Sequence, residues 1–368
     1  MSGSERNLKE VAGSAAQNEA QRERTLLLLR RYAENSMSYL TLERDKQCFF
    51  SESVEGVAGY ALSGRDMVLC SDPICAPGDL GEFLEDLKKF AHRIHYRIII
   101  LFTLGKNLPI YRAAGFGFYK TGEEAVFDLE SYNMSGGKAA KVRASVHQAA
   151  RDGLTVREYA PRNGTLEEIE RQFFEISDAW LKRKHTSLLK FALGGIGFHE
   201  VNDKRYFYAA DRDGVIQGFM VFLPYRQGQG YLVDVMRRRP GCTHGVMELI
   251  FHDAYEKMKA EGVRYGSLGI APFANTEVGS RDTMIERLEH YNYENMNDIY
   301  GFKPLYEAKA KYAPTAWEPA YLTCLPRHLT LSMARSALGV LDTRGFSDYV
   351  SSFFRNRRRA AKNSVGQG

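Results

Sequence analysis

The stretch Val233 to Ile250, VDVMRRRPGCTHGVMELI, concentrates residue types that do chemistry. Asp234 sits inside an apolar, strand-like run. Arg237, Arg238 and Arg239 follow, then Pro240, Gly241 and Gly245, then a helix-like run that carries Glu248. A strand–loop–helix junction of this kind usually receives an anion, because glycines let the backbone approach and the first turn of a helix has free amides. Pro240 removes one of those amides. Guanidinium groups are plentiful instead, so Arg237 and Arg239 are candidate phosphate ligands acting through their side chains. Asp234 is a candidate to hold an ammonium group or to accept a proton, and a plain salt bridge to Arg237 or Arg239 is the alternative. Glu248, one to two turns into the helix, is placed to orient Arg237 or a substrate amine, and a buried pairing with an arginine is its plainer reading.

Two further stretches carry candidates. SLGIAP, Ser267 to Pro272, ends a strand with Gly269 and Pro272, small or rigid residues that admit a substrate or simply make a tight turn. YGFKPLYEAKAKY sets Lys303, Lys309 and Lys311 among Tyr306 and Tyr312. Interleaved lysines and aromatics suit the end of a nucleic acid, where a base stacks and phosphates need counter-charge. A solvated helix face has the same composition. No GxxxxGK[ST], strand-linked GxGxxG, HExxH or CxxC occurs, so neither an ATP-type phosphate loop nor a structural metal is expected. The five cysteines are scattered and odd in number, which predicts reduced, mostly buried thiols.

These residues need elements to position them. At 368 residues the chain suits two domains, and no apolar run approaches the ~20 residues that cross a bilayer. The formal charge is +5, and Arg355, Arg357, Arg358, Arg359 and Lys362 account for all of it. A neutral body with a basic end suits an anionic surface, and Tyr349, Phe353 and Phe354 beside that cluster fit an interfacial lipid anchor. The pattern predicts a mobile segment over 1–24, an α/β unit over 25–131, and a basic connecting helix over 132–160 with Lys138, Lys141, Arg143 and Arg151. A second unit with the same order of elements spans 161–326, and a basic amphipathic tail spans 327–368.

NLPIYRAAGF, Asn107 to Phe116, resembles the N-x-x-x-Y-x-x-x-G-F ending of the GNAT acyltransferase fold. VDVMRRRPGCTHGVMELI, YGSLGIAPFANT and YGFKPLYEAKAKYAPTAWEPAYL occur in that order in the second half. Together they resemble the cytosolic catalytic domain of the phosphatidylglycerol lysyltransferases, the multiple peptide resistance factor family, over about residues 38–326. The resemblance implies an α/β fold of tandem GNAT domains, each a mixed sheet flanked by helices. It implies an aminoacyl-tRNA co-substrate, no other cofactor, and transfer of the aminoacyl group to phosphatidylglycerol. Within it, Asp234, Arg237 and Glu248 are the expected catalytic residues, and Arg239, Gly269, Lys303, Lys309 and Lys311 bind substrate.

The YLVDVM strand occupies the place where the GNAT fold splays two strands and leaves amides free for an oxyanion. Coenzyme A is disfavoured, because its loop, [QR]-x-x-G-x-[GA], fails here at Thr243. Family members often carry a multi-pass flippase part upstream. None is expected here, so a cytoplasmic protein peripheral to the inner face of the membrane follows, with a separate membrane partner as a further expectation. A tandem-GNAT transferase acting on a peptide amine, and a non-catalytic tRNA- or lipid-binding module, are the other readings.

Overall fold

Runs rich in β-branched and aromatic residues form the strands, and runs with apolar residues at three- and four-residue spacing form the helices. The structure, a computed structural model, describes residues 19–161, 166–183, 194–198, 202–272, 274 and 302–341. The expected 1–24 segment and the aromatic–basic cluster at 346–362 thus fall wholly or largely outside the described residues. In chain order the first half supplies α1 (Glu19–Tyr32), β1 (Gln47–Phe50), β2 (Gly56–Ser63), β3 (Asp66–Leu69), β4 (Ile74–Cys75), α2 (Leu80–Arg93), β5 (Arg97–Leu104), α3 (Leu108–Ala113) and β6 (Gly117–Asp128). The connecting helix is α4 (Ala140–Arg151). The second half supplies β7 (Thr155–Tyr159), α5 (Glu167–Arg183), β8 (Arg205–Ala210), β9 (Ile216–Tyr225), β10 (Gly230–Arg238), α6 (Val246–Ala260), β11 (Tyr265–Pro272), α7 (Phe302–Ala310), β12 (Ala316–Leu325) and α8 (Leu331–Leu341).

One sheet runs through both halves in the order β1-β2-β3-β5-β12-β6-β11-β10-β9-β8-β7, with β4 paired to β2. Only β3–β5 and β10–β11 are parallel among the described pairings. Each half therefore has one parallel pair followed by antiparallel strands, the mixed-sheet GNAT arrangement. The central strands are exchanged. β12, late in the chain, lies antiparallel between β5 and β6 of the first half, and β6 of the first half lies between β12 and β11 of the second.

Alternation along the strands divides the apolar residues between two faces. Val57, Val68, Ile99, Leu101, Leu223 and Leu232 meet α1, the 3-10 turn Ser36–Leu42 and α8 on one face, so this core spans both halves. Farther along the same face α5 packs on β8 and β9, with Phe173 stacked on Phe219 at 4.2 Å between centroids. On the other face α2 covers the first half, while α4 and α6 cover the second.

Three features depart from the sequence-based expectation. The connecting segment ends its helix at Arg151, and Thr155–Tyr159 is the edge strand of the second half. β12 has no counterpart in the expected pattern. Pro319 and Glu318 interrupt its alternation, which emerges only at the buried Ala320, Leu322 and Cys324. The expected tail begins as α8, with Met333 and Ala337 inside the core under β2 and β3. A tail residue would tolerate truncation within about 0.5 kcal/mol, whereas a fully buried methionine leaves a cavity. Met333→Ala is expected to destabilise the protein by about 2–5 kcal/mol, read as a lowered urea midpoint at unchanged slope.

Candidate active site

The site is built on a strand splay. β10 and β11 pair only from Gly230–Leu232 against Tyr265–Ser267, although both strands continue for several residues beyond. Each bulges where they part. The register of β10 against β9 shifts between Val233 and Val235, and that of β11 against β6 shifts between Ser267 and Ile270. A bulge turns a side chain out of the pleat and frees main-chain groups. Asp234 is the residue that the β10 bulge re-aims. Gly269 is the hinge of the β11 bulge, at φ +74, where a side chain would be strained. A Cβ there would also lie 3.3 Å from Leu232 Cδ1 and 3.6 Å from Lys309 Nζ, so Gly269 stands between the two walls.

On the β10 wall Asp234 takes its hydrogen bonds from the Gly194 amide, at 3.0 and 2.9 Å, rather than from Arg237 or Arg239. The neighbouring Gly195 amide donates to Glu43 Oε2 at 3.0 Å. Lys204, whose side chain is 3% exposed, donates to Glu43 Oε1 and to the Gly195 carbonyl, each at 2.8 Å. Two carboxylates thus face a two-glycine backbone with one buried lysine beside them. A Cβ on Gly194 would lie 2.4 Å from Asp234 Oδ2, so any side chain there would have to displace that carboxylate. Burial pushes the Asp234 carboxyl up to about 6 against the Gly194 amide and Lys204, with Glu43 adding a like charge. Such a pair is suited to an ammonium guest, because one carboxylate is left under-compensated.

On the β11 wall Lys309 is not the solvated phosphate contact its sequence context suggests. Its Nζ donates to the carbonyls of Leu268 and Ile270, at 2.7 and 2.8 Å. Burial pushes this amine down to about 7, and Glu124 opposes the shift. A neutral lysine amine has two N–H donors and one lone pair; with both donors given to carbonyls, the lone pair is free to accept a proton.

The remaining candidates lie apart. Arg237 projects to the opposite side of the β10 ladder from Met236 and sits over the Trp180 ring at 5.3 Å, where burial lowers its pKa against the pull of Asp234 and Asp178. Arg239 turns to the sheet edge, donating to the Ile216 carbonyl at 3.1 Å, with Glu175 at 3.8 Å. Glu248 pairs with Lys311 at 2.6 Å, not with an arginine. Burial opposes its ionisation, but the Lys311 bond and charge leave its pKa lowered. Lys303 is the second residue of α7, and its side chain lies outside the described residues. At the loop that prompted the anion expectation, Gly245 caps α6 at φ +85, and a Cβ there would fall 2.2 Å from the Ser145 carbonyl. The α4 backbone therefore closes on the first turn of α6, where an anion cradle would have to open.

Glu43 and Lys204 had no motif to announce them, and Ser267 lay in the SLGIAP stretch without being singled out. Glu124 had a weak signal, a carboxylate inside the alternating run EEAVFDLE. Equally informative is the first half, where the other parallel pair parts after Leu69/Ile100. There Asp72 is buried and accepts from Asn35 Nδ2 (2.7 Å), the Leu104 amide (2.9 Å), Asn107 Nδ2 and Tyr111 OH (both 3.0 Å). The NLPIYRAAGF motif spends Asn107 and Tyr111 on filling this splay. No group of three or more His, Cys, Asp or Glu side chains suited to a metal occurs among the described residues. Nor is any described helix long and apolar enough to cross a membrane.

The chain is similar to known proteins over most of its length. The family model described as phosphatidylglycerol lysyltransferase, C-terminal, matches residues 26–324. The phosphatidylglycerol lysyltransferase of Bacillus subtilis is 28% identical over 302 residues, which is 82% of this chain and 34% of that protein. The chain spans about a third of the length of the curated relatives it matches. The structure of L-PGS from Bacillus licheniformis superposes with a TM-score of 0.75 at 25% identity, covering 89% of this chain and 98% of that one. The C-terminal domain of a putative lysylphosphatidylglycerol synthetase from Agrobacterium fabrum superposes with a TM-score of 0.72 at 25% identity, covering 89% and 97%.

The raised pKa of Asp234 has a stability consequence. A carboxyl whose folded pKa exceeds its unfolded value stabilises the fold while protonated, below about pH 4, and that contribution is lost as pH rises through about 6. Asp234→Asn keeps an acceptor for Gly194 but removes the charge. Its melting temperature is expected to match the parent near pH 4 and to exceed it above pH 6, by an amount equivalent to about 1–3 kcal/mol, in thermal scans across that range.

Proposed function

The chain belongs to the phosphatidylglycerol lysyltransferase C-terminal family, and from that membership we propose that it transfers an aminoacyl group from tRNA to a hydroxyl of an anionic membrane lipid, phosphatidylglycerol first among them. The observation that carries the reading is the splay itself, with a carboxylate pair on one wall and the carbonyl-held Lys309 on the other. The reaction is an ester exchange. The lipid hydroxyl attacks the acyl carbon, its proton passes to neutral Lys309, and the acyl–tRNA oxygen bond breaks as the departing ribose oxygen takes a proton back. Bond formed and bond broken are both esters, so no nucleotide hydrolysis is needed to drive it.

Asp234 and Glu43 hold the ammonium of the aminoacyl group, and β10 amides beyond Leu232 receive the developing oxyanion. The same amine acceptor explains why Lys309 is more useful buried than solvated, since a base works best with a pKa near the working pH. Lys138, Lys141 and Arg151 are exposed along and beside α4, and with Lys311 they offer a track for tRNA phosphates. Arg237, over the Trp180 ring, is suited to a lipid phosphate at the α5 side. The closure of α4 on Gly245 supports an aminoacyl ester, rather than an acyl thioester of coenzyme A, as donor. Work on tRNA and lipid together sets the reaction at the cytoplasmic membrane surface.

The test uses purified protein, a mixture of radiolabelled aminoacyl-tRNAs and vesicles containing phosphatidylglycerol. Label is expected in the lipid phase. Lys309→Met should lower the rate by ~10²–10⁴, and the parent rate should climb with pH through about 7, because the neutral amine is the active form. Loss of the tRNA ester without lipid label would move the acceptor to another hydroxyl or amine. A stable ester would leave a binding module.

A further inference from the structure

Glu124 lies on β6, the strand that the first half inserts into the second, and is 7% exposed. Its surroundings are unusual for a buried carboxylate. Its direct partner across β12 is Glu318, a like charge, and opposed like charges weaken a sheet. The 3-10 turn contributes Ser36 and the end of β9 contributes Tyr225, and with Glu34, Arg226 and Glu318 these line a cavity of about 170 Å³. From α7 the group facing Glu124 is Lys309. Burial pushes the Glu124 carboxyl up, with Glu318 adding to the shift and Ser267, Ser36 and Lys309 opposing it.

The hydrogen bonds give this placement a direction. Ser267 Oγ donates to Glu124 Oε1, and the Gly269 amide donates to Ser267 Oγ at 2.8 Å. That pair of bonds spans the β11 bulge, from the last residue in register before it to its glycine hinge. The two carbonyls on either side of Gly269 are the ones that hold Lys309 Nζ. One carboxylate therefore sets, through one hydroxyl, the shape of the segment that grips the amine, and it presents its charge to the same amine.

We propose that Glu124 is a positioning residue of the transfer site, fixing the β11 bulge through Ser267 and acting by its charge on Lys309. The exchanged strand then makes the first half a working part of the second half's site. This rests on the reading of Lys309 as the proton acceptor.

Two variants separate shape from charge. Glu124→Gln keeps an oxygen for Ser267 and removes the charge, so the acid limb of the pH–kcat profile should move to lower pH by about one unit, with KM for the lipid unchanged. Glu124→Asp keeps the charge but falls short of Ser267, so the limb should stay while kcat drops about tenfold. A purely structural glutamate would leave the limb of Glu124→Gln where the parent has it, and that result would overturn the proposal.

An arm independent of activity follows the Lys309 resonance in protein labelled with ¹³C-lysine, assigned by its loss in Lys309→Met. Its titration midpoint should fall in Glu124→Gln and hold in Glu124→Asp. Coincident midpoints in parent and Glu124→Gln would also sink the idea. A moved midpoint in a protein that transfers nothing would count against the proposed reaction and leave the coupling of Glu124 to Lys309 standing.

Discussion

The antiparallel pair β6–β12 is the constraint on which everything else rests. β12 pairs with β5 and β6, and β6 pairs with β12 and β11, so each half closes its sheet with a strand that the other supplies. Strand pairing satisfies main-chain groups that burial would otherwise leave without partners, and here that requirement cannot be met within either half. The two halves are one cooperative object for the same reason. A core that spans them, from Val57 and Ile99 to Leu223 and Leu232, is the packing expression of this exchange.

A sheet so continuous has few places for a ligand, and the molecule makes one by parting a parallel pair. Bulges at Val233/Val235 and Ser267/Ile270 remove ladder bonds and set main-chain groups free near a half-buried acid and a half-buried amine. Each of these is destabilising taken alone: Asp234 is held above the usual carboxylate range, and Lys309 well below the usual amine range. Perturbation of this kind concentrates at sites of function. The glycine pair at 194–195 lets the chain pass close to two carboxylates, and a Cβ at Gly194 would crowd the Asp234 carboxylate out of its place.

The two halves resolve the same geometric opening in opposite ways. In the first, Asp72 sits past the parallel pair and receives four hydrogen bonds from Asn35, Leu104, Asn107 and Tyr111. Such a site is complete and has nothing left to offer a substrate. In the second, Asp234 receives only the Gly194 amide among its described hydrogen bonds, and the lysine opposite is held by carbonyls rather than by a carboxylate. Repetition of a fold supplies the opening twice, and side-chain chemistry decides which copy stays available.

The sequence by itself determined the α/β class, the repeat of element order and the family resemblance, and it singled out Asp234 as a candidate, because all of these depend on residues close together in the chain. Apolar periodicity sufficed for β5, α2 and α6, where one face or both are buried without interruption. It did not suffice for β12, whose Glu318 and Pro319 read as loop until β5 and β6 claim it from either side. Tertiary structure alone decided the partners of charge. Lys309 carries the local signature of a solvated helix face, and only the β11 bulge, 39 to 41 residues earlier in the chain, turns it inward. Glu248 finds Lys311 rather than an arginine, and Glu43 reaches the site from 152 residues before Gly195. Desolvation and charge pairing act through distance in space, and sequence spacing holds no record of that distance until the sheet has closed.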